Sequence, residues 1–261
     1  MAQKEVYEHF HPDEKPFVDR AWEWVERAAE RHETKRTDFL DPRQAHILNS
    51  LVNRHPDAQV VLNGGGGFSE RQRAMVAPDY RVLSDDEFGI VVLDISSDDR
   101  RIGELDHGDY LGALLGLGIK RDKIGDLHVS ETGCHALITE DIGDFLVGHM
   151  NQAHRVDVRV SVRPLTELRE VKVELEEQVL SVASMRLDGV ASDVFRLSRT
   201  KILAPIKAGR CRVSWKQVED PSYSLKAGDI VSMKGFGRFK VLDVEGVSKS
   251  GRIRVRIGKF V

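Results

Sequence analysis

Cysteine is nearly absent. Only Cys134 and Cys211 occur, 77 positions apart with no Cys-x-x-Cys, which excludes a disulfide framework and a cysteine zinc site and leaves two small core residues. Long apolar runs are missing too. The longest near-apolar stretch, YLGALLGLGI (110–119), has ten residues and three glycines, too short to cross a bilayer. The start, MAQKEVYEHFHPDEKPF, is charged from its fourth residue and lacks the apolar centre of a signal peptide, so the expected location is cytoplasmic, with no membrane partner. Four glycines at 64–67 invite a phosphate loop, yet Gly67, Phe68 and Ser69 stand where Gly-Lys-Ser/Thr is required. A strict G-x-G-x-x-G fails as well, and the loop reads as a flexible turn. His107, Asp109, His128, His135 and His149 lack the spacing of a metal site, so neither a metal nor a cofactor is expected.

What is present is a segregation of charge. The whole chain carries 39 Lys/Arg and 42 Asp/Glu, a formal charge of -3. Residues 186–261 hold 17 basic and 7 acidic side chains, a surplus of +10 that leaves -13 for residues 1–185. A solvated face explains a surplus of two or three; this one has the footprint of a polyanion-binding surface. A basic face meeting the acidic half of the same chain is the competing explanation.

The pattern along the chain predicts an α+β protein. From Pro16 to His32, Phe17, Ala21, Val25 and Ala28 give a helical stripe. Asp41, Pro42 and Gln44 announce a second helix through a capping box. Residues 1–79 are therefore expected to be an N-terminal helical segment. Residues 80–165 read as strand (88–96), helix (106–118), hairpin (125–139), helix (140–150) and strand (156–162), the order of a ferredoxin-like, RRM-like domain. Its third strand, CHALIT, lacks the aromatic pair on which such domains stack bases. Residues 166–181, with Val171, Val173 and Leu175 alternating with charges, read as an edge strand or extended connector. The last domain is expected over 182–261.

In that domain RLDGVASDVF and SRTKILAPIKAG read as two short helices, with Ser198 as cap and Gly209 as stop. RCRVSW follows as a strand. Pro205 interrupts the second helix and should kink or shorten it. In RIRVRI, Arg252, Arg254 and Arg256 share one face and Ile253, Val255 and Ile257 the other.

Arg186-Leu187-Asp188, Ser198-Arg199, Gly209 and Gly228-Asp229-Ile230 resemble the S4 RNA-binding domain over about 182–246. Many S4 domains carry Asn where this chain has Ser214. FLDPRQ, GGFSERQRAM, LDHGDYLGALLGLGIKRDKIGD and VASMRLDGV resemble the YlmH-type S4 proteins of bacteria. The resemblance implies a helical N-terminal part, an RRM-like middle and a C-terminal S4 (αα-β) domain with a β extension. It also implies association with the large ribosomal subunit, and rescue of stalled subunits that still carry peptidyl-tRNA, with cell division as an alternative role.

On an S4-like surface, Arg199, Lys201, Lys207, Arg210, Arg212 and Lys216 are expected to neutralise phosphates, with Ser198 beside them. Arg252, Arg254 and Arg256 extend the candidate set. Arg186 and Arg196 either join it or pair with Asp188 and Asp193. Trp215 either stacks on an unpaired base or closes the core at a strand end.

Enzyme readings fail on their motifs. The catalytic Arg-Leu-Asp of pseudouridine synthases continues with Thr and Gly three and five residues after Asp, where this chain has Ala191 and Asp193. A methyltransferase lacks its alternating α/β domain, and the nucleotide-binding signatures of synthetases are missing. The expectation is a non-enzymatic RNA-binding factor, monomeric when free, whose partners are rRNA and, as a second RNA, tRNA. An RNA-modifying enzyme with an S4 targeting domain and a cell-division scaffold are the alternatives.

Overall fold

The computed structural model describes residues 10–67, 69–171, 174–247 and 251–260. Val173, Phe68 and the first nine residues, on which three of the readings above fall, lie outside them. The chain divides into two compact units, Met1–Val171 and Lys172–Val261.

The first unit begins with α1 (Lys15–Arg31), whose Phe17, Val18, Ala21, Trp22, Val25 and Ala28 are buried. Helix α2 (Pro42–Val52) starts at the expected box: Asp41 accepts from the Gln44 N–H at 2.8 Å, and Gln44 accepts from the Asp41 N–H at 3.0 Å. Between and after the helices run β1 (Lys35–Leu40), β2 (Ala58–Asn63) and β3 (Gln72–Pro78), antiparallel in the order β1-β3-β2. The segment expected to be helical is thus a helix pair on a three-stranded sheet. Strand β3 is buried on both faces. Ala74 and Val76 pack on the helices, whereas Met75 meets the middle domain.

In the middle domain β4 (Ile90–Ser96), α3 (His107–Gly116), β5 (Ile124–Ser130), β6 (Gly133–Thr139) and α4 (Gly143–His149) are followed by a small ribbon, β7 (Gln152–Ala153) with β8 (Val156–Asp157), and by β9 (Arg159–Arg163). The sheet order β5-β6-β4-β9 with every pair antiparallel is the ferredoxin-like arrangement. Leu93 and Ile95 face Tyr110, Leu114 and Leu146 of the two helices. On the opposite face Ile90, Val92 and Leu137 pack with Phe39, Met75, Leu165 and Leu168. That is the face on which an RRM stacks bases, and here the N-terminal sheet and the 165–168 turn cover much of it.

The second unit is a six-stranded antiparallel sheet with two helices. Its elements are β10 (Leu175–Val182), α5 (Leu187–Phe195), α6 (Arg199–Lys207), β11 (Cys211–Val213), β12 (Lys216–Gln217), β13 (Ile230–Met233), β14 (Gly237–Val247) and β15 (Ile253–Phe260). The order is β10-β15-β14-β13-β11-β12. Leu187, Val190, Val194, Ile202 and Ile206 of the helices share one core with Cys211, Val213, Val231, Phe239, Val241, Val255 and Ile257 of the sheet. Residues 175–181, read as an edge strand or extended connector, and Val182 after them pair along their whole length with β15, from Leu175 opposite Phe260 to Val182 opposite Ile253. They are the edge strand of this sheet.

Among the described residues no helix is long and apolar enough to cross a membrane. Both cysteines are buried, and burial pushes each thiol up to about 12, so they stay protonated core groups.

Candidate nucleic-acid interface

The helix pair sets out its cations by simple periodicity. Ile202 and Ile206 turn inward, which leaves Arg199, Lys201 and Lys207 exposed. The Ser198 hydroxyl caps α6 by accepting from the Lys201 N–H at 3.4 Å. Pro205 is buried inside the helix, which ends two residues later. Gly209, at φ 67, takes the left-handed stop. Arg196 closes α5 in the same region (φ 53) and points into solvent, as do Arg210 and Arg212. Among the described residues, none of Arg196, Arg199, Lys201, Lys207, Arg210 and Arg212 lies within 4 Å of a carboxylate oxygen. Arg199 acts at longer range on the Asp188 carboxylate.

Other candidates are differently placed. Arg186 donates twice to Asp188, at 3.1 and 3.0 Å. Asp188 is buried and also accepts from the Gly189 N–H at 2.8 Å. The Arg186 guanidinium holds the Asp188 carboxyl below its ordinary 3.8, against the opposing effect of burial. A carboxylate depressed in this way stabilises the fold above its unfolded titration point and stops doing so as pH falls through the folded one. Asp188→Asn should therefore cost about 1–3 kcal/mol at pH 7, and the gap to the parent should close progressively below pH 3.8. Urea midpoints measured across acid pH check this.

Arg254 and Arg256 lie on one face of β15, which Arg252 precedes, but each of the three is engaged within its own sheet. Arg252 donates to the Ser181 carbonyl, Arg254 lies 3.5 Å from Glu245, and Arg256 lies 3.7 Å from Glu177. Strands β14 and β13 separate β15 from β11, so about 14 Å, three strand spacings, lies between this row and Arg212. The structure does not gather the thirteen candidates into one patch.

At the hairpin joining β11 to β12, Val213 pairs with Lys216, so Ser214 and Trp215 form a two-residue turn. Both have positive φ, 46 and 66, the geometry that favours Asn-Gly. Ser214, the departure from the usual Asn, donates to Asp229 at 3.0 Å. Asp229 in turn accepts from the Lys226 N–H at 2.8 Å, tying the Gly228-Asp229 turn to the hairpin. Trp215 and Lys216 are half-buried, and Trp215 is outside the apolar core of the helices and sheet. Sequence reading missed Arg238, whose guanidinium lies 5.8 Å from the Trp215 ring and 4.5 Å from that of Phe260. Only strand register places these three together, and no local motif signals it.

The glycine loop is held by the chain itself. Gly65 N–H donates to Asn63 at 2.7 Å, Gly66 N–H to Ser69 at 3.2 Å, and Gly67 N–H to the Glu170 carboxylate at 2.6 Å. The donors that would cradle a phosphate already have acceptors. The Nδ1 atoms of His135 and His128 accept from the Arg169 and Val171 N–H groups at 3.1 and 3.2 Å. His135 also lies 3.4 Å from Asp94, and burial lowers its pKa. Among the described residues no group of three or more His, Cys, Asp or Glu is arranged to hold a metal ion.

Residues 13–81 match the family model "YlmH, N-terminal", and residues 84–167 match "Putative RNA-binding domain in YlmH". The chain is 37% identical over 251 residues to the Bacillus subtilis "Ribosome-associated protein quality control protein P2", covering 96% of this chain and 97% of that protein. The chain belongs to the YlmH family. A solved structure, "Cell division protein ylmH from Streptococcus pneumoniae", matches with a TM-score of 0.53 at 24% identity, covering 62% of this chain and 97% of that one. At that identity it speaks for the fold alone. Within this YlmH chain, the region matched by the RNA-binding model holds 8 Lys/Arg against 17 Asp/Glu. The basic surplus lies outside it, in the second unit.

Proposed function

We propose that this YlmH-family chain is a non-enzymatic, cytoplasmic RNA-binding factor that docks on the large ribosomal subunit during rescue or quality control of stalled ribosomes. The anchor is the second unit, read as an S4 domain, set against structured rRNA, with tRNA as a second contact. The observation that carries this reading is the set of exposed cations on and beside α6, Arg196, Arg199, Lys201, Lys207 and Arg210, none of them within 4 Å of a carboxylate among the described residues, within a region of net +10. Phosphate neutralisation by such a cluster dominates affinity and weakens with salt. The name of the Bacillus relative supports the ribosomal setting. The acidic first unit repels bulk RNA and so confines binding to sites that the second unit selects.

Sedimentation of the full chain with separated ribosomal subunits over a salt series tests the proposal. Salt-sensitive pelleting with the large subunit, lost when the chain ends at residue 171, is the expected result. Pelleting with neither subunit overturns it.

A further inference from the structure

The helices of the second unit cover one face of its sheet and leave the other open. Inward side chains such as Val213, Val231, Phe239 and Ile257 meet the helices, so alternation sends their neighbours outward. Arg212 is paired in register with Gln217 on one side and Ser232 on the other, and Ser232 is paired with Arg238. Arg238 lies against the Phe260 ring at 4.5 Å and the Trp215 ring at 5.8 Å. Lys240 stands in the next row, opposite Ile230 and Gly258. Arg238 therefore sits between two aromatic rings, with Arg212 in the same row beyond Ser232 and Lys240 one row on.

Two features are costly unless the row is used. A tryptophan occupies a turn position at φ 66 that glycine would fill without strain, and its ring adds nothing to the core shared by helices and sheet. Phe260 likewise lies outside that core. Asp229, the carboxylate beside the turn, is held by Ser214 and the Lys226 N–H, and Arg212 on the same face is exposed.

We propose that this open face is a stacking platform for single-stranded RNA: Trp215 and Phe260 take bases, Arg238 stacks between them, and Arg212 and Lys240 follow the backbone. Open sheets of this kind stack two or three bases on aromatic side chains, and base stacking tolerates any sequence. The inference rests on the RNA-binding reading above and adds a second class of RNA, an unpaired strand, on a different face from α6.

The test uses the full chain with Trp22→Phe and Trp24→Phe, which leaves Trp215 as its only tryptophan. Decauridylate RNA should quench its emission saturably, and should bind about tenfold or more tighter than an abasic decamer with the same backbone. In the otherwise unaltered chain, Trp215→Gly keeps the turn, because glycine accepts positive φ. It should weaken decauridylate about tenfold, as should Phe260→Ala, while a structured rRNA fragment binds as before. Absence of quenching at saturation, equal affinity for the abasic strand, or undiminished binding by Trp215→Gly would each overturn the platform. If Arg199→Glu abolishes structured-RNA binding while Trp215→Gly changes nothing, the platform falls and the RNA-binding reading stands. If the parent chain binds neither RNA, both fall.

Discussion

Replacing Arg199, Lys207 and Arg212 together with Glu should lower affinity for structured ribosomal RNA by about 100-fold or more at roughly 0.15 M salt. Each lost phosphate contact removes about 0.7–0.9 from the slope of log affinity against log salt, so the slope should flatten by about 2–3. The fold should survive. All three side chains are exposed, and the helix-end effects oppose each other: Glu at the first position of α6 favours the helix N-terminus, while Glu in the last turn disfavours its C-terminus, each by about 0.3–1 kcal/mol. Arg212→Glu would gain Arg238 as a near neighbour across Ser232. Filter binding over a salt series, beside thermal melts of parent and variant, reads both quantities. An unchanged slope would mean that the cations of α6 and β11 do not touch phosphate.

The largest expected effect on stability concerns the edge strand. A fragment of residues 172–261 should fold, whereas one of residues 183–261 should lose about 3 kcal/mol or more. Val182 is buried and Leu180 packs against the core, and burial of one such side chain is worth about 1.5–3 kcal/mol. The shorter fragment also loses eight pairings to β15 and leaves that strand as a bare edge. For a domain of this size the loss corresponds to a fall in Tm of about 12–24 °C, which circular dichroism would register. Equal Tm values would show that the strand decorates the sheet without supporting it.

The elements legible in the sequence are those whose signals are local. The α1 stripe and the Asp41–Gln44 box lie within one or two turns of helix, and the middle domain is a run of alternating elements whose order alone suggests its sheet. Strand β3 escaped, and the residues of β10 read as either an edge strand or a connector; both strands are specified by distant partners. Strand β3 (QRAMVAP) carries no alternation because the α1–α2 pair covers one face and the middle sheet the other. Strand β10 faces the core with only some of its residues and exposes Val179 at 51%, so its pattern resembles a connector until β15 is set beside it.

The candidate interface divides in the same way. Exposure of Arg199, Lys201 and Lys207 follows from helical period. The engagement of Arg254 and Arg256 with Glu245 and Glu177 depends on sheet register, and nothing near them in sequence announces it. The same holds for Arg238 between two rings.

The central claim is that RNA is held by the second unit, although the RNA-binding family model matches the first. Photo-crosslinking of the full chain to purified large subunits, followed by mapping of RNA-bearing peptides, tests it most directly. The account predicts crosslinks concentrated in residues 186–216, with those in 84–167 sparse and lost when Arg199, Lys207 and Arg212 are reversed. Crosslinks concentrated in 84–167 that persist in the reversed variant would contradict it.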